Sequence, residues 1–433
     1  MNAPERLARS ARVGWLAATI MIGYRWLGWR NRRRTPEEAE LKLANYHRQS
    51  AQRILQLATN IQGLLIKVGQ IIGTRADVFP DEYIEVLSQL HDAVPPHPYP
   101  VIRAVIEREL GAPLEKTFAE FEVEPIAAAS LAQVHRGRLH DGREVAVKVQ
   151  YPEIEAIVKL DLQNIRLLVR VANRLLRDID LTPIVDEMSA NVPLELDFIH
   201  EGHNAEQTAE NFADRDDVIV PRIYWEHTTK RVLTMEFLDG IKITDMAAIE
   251  AAGIEKQAIA RLLGQSYSRQ IFAHGFFHAD PHPGNLFVRP GPKLIIVDFG
   301  LAKQLPAGFV QGFTRLTGAL VAANSTAVAQ AFRDLGFRAR HEDDTVFEAM
   351  GEAMVARLSR NGEFSQDRQM MIEFQERMMR VFRENPIVRV PGEFLLLGRV
   401  MGLLSGLSAQ LGYQVNLLDI PDAELPQDVN SPR

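Results

Sequence analysis

Apolar residues recur at helical spacing through Ile54, Leu55, Leu57, Ile61, Leu64, Leu65, Val68 and Ile72, so the chain from about Pro36 to Asp92 reads as helices. Lys67 and Gln70 share one face of that pattern as an i, i+3 pair. Pro80-Asp81 starts a further helix with Tyr83, Val86, Leu87 and Leu90 on its apolar side, and Pro95-Pro96-His97-Pro98 closes the segment as a stiff linker. The period then changes. Glu144-Val145-Ala146-Val147-Lys148 is a β-branched alternation preceded by the hairpin signal Asp141-Gly142. Residues 153–210 return to helical spacing, with Glu195, Asp197 and Glu201 along one stretch after Pro193. Asp217–Tyr224 and Arg231–Phe237 look like strands, the second running into a Leu238-Asp239-Gly240 turn. Residues 255–275 read as a helix, Leu294–Val297 as a buried strand, and the tail from about Leu305 to Leu411 as almost wholly helical. Within that tail Leu395–Leu404 is apolar but carries Arg399, which suits a buried core helix better than a membrane span.

Candidate chemistry sits where these elements meet. Asp280 and Asn285 are five apart in Phe277-His278-Ala279-Asp280-Pro281-His282-Pro283-Gly284-Asn285, the spacing of a kinase catalytic loop. Asp298-Phe299-Gly300 follows at the end of the next apolar strand. In sites of this kind the first Asp orients the nucleophile, while the Asn and the second Asp hold the metal that bridges the phosphates. Lys148 ends a strand of the type that supplies a phosphate-binding lysine. Upstream, Ala127-Ala128-Ala129-Ser130-Leu131-Ala132-Gln133-Val134 can be set against G-x-G-x-x-G-x-V. Alanines then fill all three glycine positions at 127, 129 and 132, and Val134 fills the valine. A methyl at each site stiffens such a loop and holds its backbone away from phosphate. His274, His278 and His282 fall near the site, but Mg²⁺ prefers oxygen ligands and loop spacing does not make a metal-binding face, so His278 is assigned to support of the loop.

With these motifs the chain resembles the UbiB/ADCK (AarF-related) family of atypical kinases. The resemblance runs from about Leu64 to about Ala302 through Lys67-Val68-Gly69-Gln70 (K-x-G-Q), the alanine-rich loop, Val145–Lys148, Glu195-Leu196-Asp197-Phe198 (E-x-D), the Asp280 loop and Asp298-Phe299-Gly300. It implies an α+β, bilobal protein-kinase-like fold with an N-terminal helical K-x-G-Q extension and a helical C-terminal lobe. It also implies that Lys67, Gln70, Glu195 and Asp197 form a regulatory element across the nucleotide cleft, with Lys67 paired to Glu195. Further implications are Glu201 as partner of Lys148, backbone groups from Glu236 to Leu238 at adenine, and residues 127–130 with Val134 and Lys148 around the nucleotide. ATP with Mg²⁺ or Mn²⁺ are the cofactors it implies.

Composition narrows the picture. The 433 residues contain no cysteine, which excludes disulfides, zinc–thiolate sites and thiol nucleophiles. The net charge of −7 hides an asymmetry: residues 1–34 carry eight arginines and one glutamate. The basic end is local and does not mark a nucleic-acid partner. It brackets a 12-residue uncharged run, Val13–Tyr24, shorter than the ~20 residues of a straight membrane span. Trp15, Trp26, Trp29 and Tyr24 lie near its edges, as interfacial anchors do. A membrane-surface anchor is the reading adopted, with the catalytic domain in the cytoplasm. A helix packed on the body of the protein is the alternative, and the arginine-rich composition is also that of a mitochondrial transit peptide. No motif precedes Lys67, so the remainder is expected to fold when residues 1–34 are deleted.

Ala279 replaces the Arg of His-Arg-Asp, and no Ala-Pro-Glu follows Gly300, so a peptide-docking platform is not evident. The expected organisation is 1–34 anchor, 36–98 K-x-G-Q extension, 99–240 N-lobe with inserted helices, 241–420 C-lobe and 421–433 flexible tail. The expected function is an ATP- and Mg-dependent atypical kinase or ATPase supporting isoprenoid-quinone lipid metabolism at a membrane, with a membrane lipid or quinone precursor and lipid-biosynthesis enzymes as partners. The alternatives are a nucleotide-binding scaffold without turnover and a true protein or small-molecule kinase.

Overall fold

The computed structural model describes all residues except 1–2, 75–78, 92–94, 176–181, 342–344, 358–379, 383–384, 414 and 416–433. The expected 421–433 tail and part of the expected C-terminal helical region lie outside the described residues. Two compact units are present: residues 1–202 with 222–237, and residues 203–221 with 238–433.

The first unit opens with four helices: α1 (Ala3–Asn31), α2 (Pro36–Ile61), α3 (Leu64–Thr74) and α4 (Asp81–Leu87). Thr35 caps α2 through the Glu38 amide and Pro36 takes the first turn, where its missing N–H is harmless. Ala51, Ala58, Ile66, Val86, Leu87 and Leu90 form a small core among α2, α3 and α4. Helices α5 (Tyr99–Leu110) and α6 (Leu114–Thr117) lead into strands β1 (Phe118–Phe121), β2 (Ala127–Ala128), β3 (Ala132–Leu139) and β4 (Glu144–Gln150). Then come α7 (Ile154–Leu175), α8 (Thr182–Glu195), α9 (Phe198–Asn211) and, after β5 (Val218–Ile219), β6 (Val232–Glu236). The antiparallel sheet runs β1-β3-β4-β6 with β2 on β3. Six of the seven residues of β4 are buried, as befits a central strand, and Val145, Val147 and Val149 join Ile102, Ile154, Val192 and Val232 in the main core.

The second unit contains β5 and the strands β7 (Ile241–Lys242), β8 (Phe276–His278), β9 (Leu286–Arg289), β10 (Lys293–Ile296) and β11 (Ala302–Gln304). Its sheet is ordered β5-β10-β9-β7, with β11 paired to β8. The helices are α10 (Met246–Ala251), α11 (Lys256–Ser268), α12 (Ala307–Val321), α13 (Ser325–Asp334), α14 (Thr345–Arg357) and α15 (Gly392–Leu411).

Several expectations are corrected here. Glu195, Asp197 and Glu201 do not share a helix: α8 ends at Glu195, and Asp197 caps α9 by accepting from the Ile199 and His200 amides. The strand expected over 217–224 is only two residues long, because Pro221 has no amide to continue the ladder. The helix over 255–275 turns into a π-helical segment at Arg269–Ala273. The helical tail is interrupted by a two-stranded ribbon pairing β12 (Arg338–Ala339) with β13 (Ile387–Arg389).

Helix α1 is more firmly attached than its sequence suggested. Val13, Ile20 and Leu27, spaced seven apart, are buried, and Gly23 lets Tyr46 approach so closely that a Cβ would overlap its hydroxyl. Arg9 is buried against Asp161 of α7. The expectation that residues 1–34 can be deleted without consequence for folding is therefore withdrawn, since the cut would strand a buried carboxylate. The opposite side of α1 exposes Leu7, Trp15, Ile22, Trp26 and Trp29. Among the described residues α15 is the one helix long and apolar enough to cross a membrane, yet Leu397, Val400, Leu404, Leu407 and Leu411 are buried along one side of it.

Candidate active site

In the first unit, β4 presents Lys148 between Val134 on β3 and Leu233 on β6. Its Nζ donates to Glu201 Oε1 at 2.7 Å and lies 5.3 Å from the centre of the Phe198 ring. Both charged side chains are nearly buried, at 11% and 2% exposure. Burying an ion pair is costly, and it is tolerated where the geometry is close and the pair has a task. Glu201 is delivered by the first turn of α9, whose start is set by the Asp197 cap. Gly202 lets that helix seat against Trp225, where a Cβ would lie 2.7 Å from the indole.

The alanine-rich segment forms β2 and a tight connection to β3. Ala127 pairs with Val134 and Ala128 with Gln133. The Ala129 amide donates to the Ala132 carbonyl at 2.8 Å, and the Tyr151 hydroxyl donates to the Ala129 carbonyl at 3.0 Å. Ser130 and Leu131 are buried. The loop is thus tied from both sides, unlike a free glycine loop. Lys67 pairs with Glu195 at 2.8 Å, whereas Gln70 turns to the Leu90 carbonyl at 3.0 Å. Although Lys67 and Gln70 share a helix face, they serve different neighbours. The Glu236 amide is engaged by Arg222 and the Phe237 amide by Glu144, so the sheet already uses these N–H groups. Leu238 is half-buried and opens the second segment of the second unit.

In the second unit, β8 leads into the Asp280 loop and a 3-10 turn at Pro283–Asn285 returns the chain into β9. Asn285 Nδ2 donates to the Asp280 carbonyl at 3.2 Å, and the Val297 amide donates to the Asn285 carbonyl at 3.0 Å. Asn285 therefore stands beside the end of β10, from which Asp298 emerges. Asp298 has φ of 64°, a left-handed conformation uncommon outside glycine. His278 is buried and its pKa is pushed down by desolvation, which keeps the ring neutral. Its Nε2 donates to the Asp298 carbonyl at 2.7 Å, which makes Nδ1 the acceptor for the Tyr267 hydroxyl at 3.1 Å. His278 supports the loop, and among the described residues no group of three His, Asp or Glu side chains is arranged to hold a metal.

Two contacts were not anticipated from motif spacing. Arg399 of α15 reaches Asp280 Oδ1 at 3.0 Å, bringing a cation from 119 residues away to a loop whose own position 279 is alanine. Asn204 of α9 donates to the Phe299 carbonyl at 2.9 Å. The lone charge inside an otherwise apolar stretch was a usable signal for Arg399. Asn204 carried none.

A divalent cation fits the chemistry of these donors. Asn285 has its Nδ2 committed to Asp280, leaving the amide oxygen, and Asp298 adds a carboxylate. Mg²⁺ commonly takes one or two protein oxygens and completes its shell with phosphate and water.

The antiparallel sheet bearing a lysine–glutamate pair, and the loop–strand–Asp-Phe-Gly succession, define a kinase-like fold of α+β class. Comparison with known proteins makes the assignment specific. The profile described as ABC1 atypical kinase-like domain matches residues 89–332, and the chain belongs to that family, the AarF-related kinases its motifs resemble. It is 40% identical over 332 residues to AarF domain-containing protein kinase 1 of Gallus gallus, covering 75% of this chain and 64% of the relative. The Arabidopsis thaliana protein ACTIVITY OF BC1 COMPLEX KINASE 8, chloroplastic, is 34% identical across 82% of this chain and 51% of its own length. The chain thus spans less than two thirds of these relatives. A solved structure described as the complex of Rv3197 with erythromycin, from Mycobacterium tuberculosis, shares the fold at a TM-score of 0.63 and 24% identity, covering 92% of this chain and 100% of that one.

Proposed function

We propose that this protein binds ATP with Mg²⁺ or Mn²⁺ and acts as an atypical kinase or ATPase at a membrane surface, in support of isoprenoid-quinone lipid metabolism. The buried Lys148–Glu201 pair carries this reading. A lysine held at 2.7 Å by a carboxylate 2% exposed is positioned as a fixed cation, suited to the α- and β-phosphates. Asp280 orients the attacking oxygen, of water or of a small acceptor, and Asn285 and Asp298 hold the cation. When bound, that cation neutralises charge developing on the transferred phosphoryl group. The tied alanine loop covers the phosphates, and the backbone from Glu236 to Leu238 receives adenine through groups other than the Glu236 and Phe237 amides, which the sheet engages. Lys67 with Glu195, beside Gln70 and Asp197, regulates access to the site.

The membrane part of the reading rests on α1. Its outer side shows Trp15, Trp26 and Trp29 at 73%, 55% and 58% exposure, with the Arg30 guanidinium 4.6 Å from the Trp26 ring. Indoles at an apolar boundary beside arginines suit an anionic headgroup layer. The test is ATP hydrolysis by the full chain with and without anionic vesicles carrying a quinone precursor. Turnover should be metal-dependent, rise with vesicles and vanish in Lys148→Met. Metal-dependent ATP binding without turnover under every condition would instead favour a regulatory scaffold, a reading to which the Arg399 contact on Asp280 lends weight.

A further inference from the structure

Asn204 is a polar side chain 6% exposed in the interior of α9. It and Phe299 belong to the same compact unit. Its Nδ2 donates to the Phe299 carbonyl at 2.9 Å, one residue beyond the Asp298 carbonyl that His278 holds at 2.7 Å. Two consecutive carbonyls are therefore each gripped by a side chain from a different element, one from α9 and one from β8. The left-handed backbone of Asp298, at φ 64°, stands immediately before the first of them. A non-glycine residue stays in that region only where its surroundings over-determine it. The Gly300 amide donates to Asp298 Oδ1 at 3.3 Å.

The Thr208 hydroxyl donates to the Asn204 carbonyl at 2.8 Å, a local helix contact that does not engage the Asn204 amide group. An apolar residue of similar size would fill the same volume, so packing alone does not call for an amide here. The amide is called for by the Phe299 carbonyl, which without it keeps only the longer bond from the Ala302 amide, at 3.3 Å. Glu201 stands three residues earlier on the same helix, so α9 carries both the partner of Lys148 and the donor to the Asp-Phe-Gly segment.

We propose that Asn204 is a positioning residue for the metal-binding carboxylate: by gripping the Phe299 carbonyl it keeps Asp298 in the left-handed turn from which that carboxylate is presented. The inference rests on Asp298 as metal ligand, the reading given above. It makes a claim about metal dependence that a merely structural asparagine would not meet.

The experiment is calorimetric titration of the full chain with ATP, in Mg²⁺ and in chelator, for wild type, Asn204→Leu, Asn204→Ala and Asp298→Asn. Both Asn204 variants should lose about fivefold or more of the affinity gained from Mg²⁺, the size expected for one hydrogen bond to a buried carbonyl, while chelator-bound affinity stays within about twofold. Asn204→Ala carries the test if the leucine does not fold. Equal losses with and without metal overturn the proposal, as does an unchanged Mg²⁺ gain beside an Asp298→Asn that has lost it. If Asp298→Asn itself keeps the full Mg²⁺ gain, the metal assignment fails and the role of Asn204 falls with it.

Discussion

Arg9 and Asp161, 152 residues apart in the chain, form a two-pronged ion pair at 2.6 and 2.7 Å with neither side chain more than 8% exposed. Arg9 also donates to the Ile61 and Gln62 carbonyls where α2 ends, so one side chain pins α1 both to α7 and to the turn before Lys67.

Arg9→Met should therefore destabilise the fold by about 3–5 kcal/mol, the cost of leaving a buried charge unpaired. Burial pushes the Asp161 pKa up and Arg9 pulls it back down, so the variant raises it further. A carboxyl with a folded pKa above its unfolded value is destabilising above that pKa and is relieved as pH falls through it. The deficit of the variant should shrink on acidification, as denaturant titrations at neutral and mildly acidic pH would measure.

The exposed side of α1 can be altered without touching that pin. Replacing Trp15, Trp26 and Trp29 with Ser should change stability by no more than about 0.5 kcal/mol per site. Flotation with anionic vesicles should fall sharply in the triple variant, and in wild type with added salt. Undiminished flotation would move the membrane contact to another surface.

Glu201→Gln removes the counter-charge of Lys148 and should weaken Mg-ATP binding at least tenfold, about 1.4 kcal/mol. Asp298→Asn should show a loss of the same size in Mg²⁺ only. Thermal-shift titrations in metal and in chelator separate the two, and a metal-independent loss in Asp298→Asn would remove it from the cation site.

Ala129→Gly tests the alanine loop. On the proposed site the methyl would keep the backbone from closing on phosphate, so glycine should raise affinity for ATP relative to ADP by roughly threefold. Calorimetry giving the same ATP:ADP ratio before and after the change would place the loop away from the phosphates.

His97, His135 and His278 all have pKa values pushed below 6.5 by burial. The unfolded chain takes up protons near pH 6.5 that the folded chain refuses, so stability is full above that pH and lost as pH falls toward the folded values. The melting temperature should therefore decline below about pH 6.5, and a flat profile down to about pH 5 would show that these rings are charged in the fold.

The sequence by itself determined the parts that depend on local spacing. Asp280 with Asn285, the Asp-Phe-Gly strand end, the lysine strand and the helices around Lys67 are all contiguous patterns, because a strand or a loop fixes how far apart its own side chains stand. It also named Glu201 and Glu195, through a family resemblance rather than from charge pattern. What only the tertiary structure decided involves pairs far apart in the chain. Arg9 with Asp161, Arg399 with Asp280 and Asn204 with the Phe299 carbonyl each join elements whose meeting depends on packing. The split of Glu195, Asp197 and Glu201 between two helices was settled by the Asp197 cap, which outweighed a continuous helical pattern. The two-sided nature of α1 has the same origin. Its apolar content was legible, and Val13, Ile20 and Leu27 recur at seven, but the exposed Leu7, Trp15 and Ile22 are as apolar, so which side is buried depends on the surface that α2 and α7 present to it.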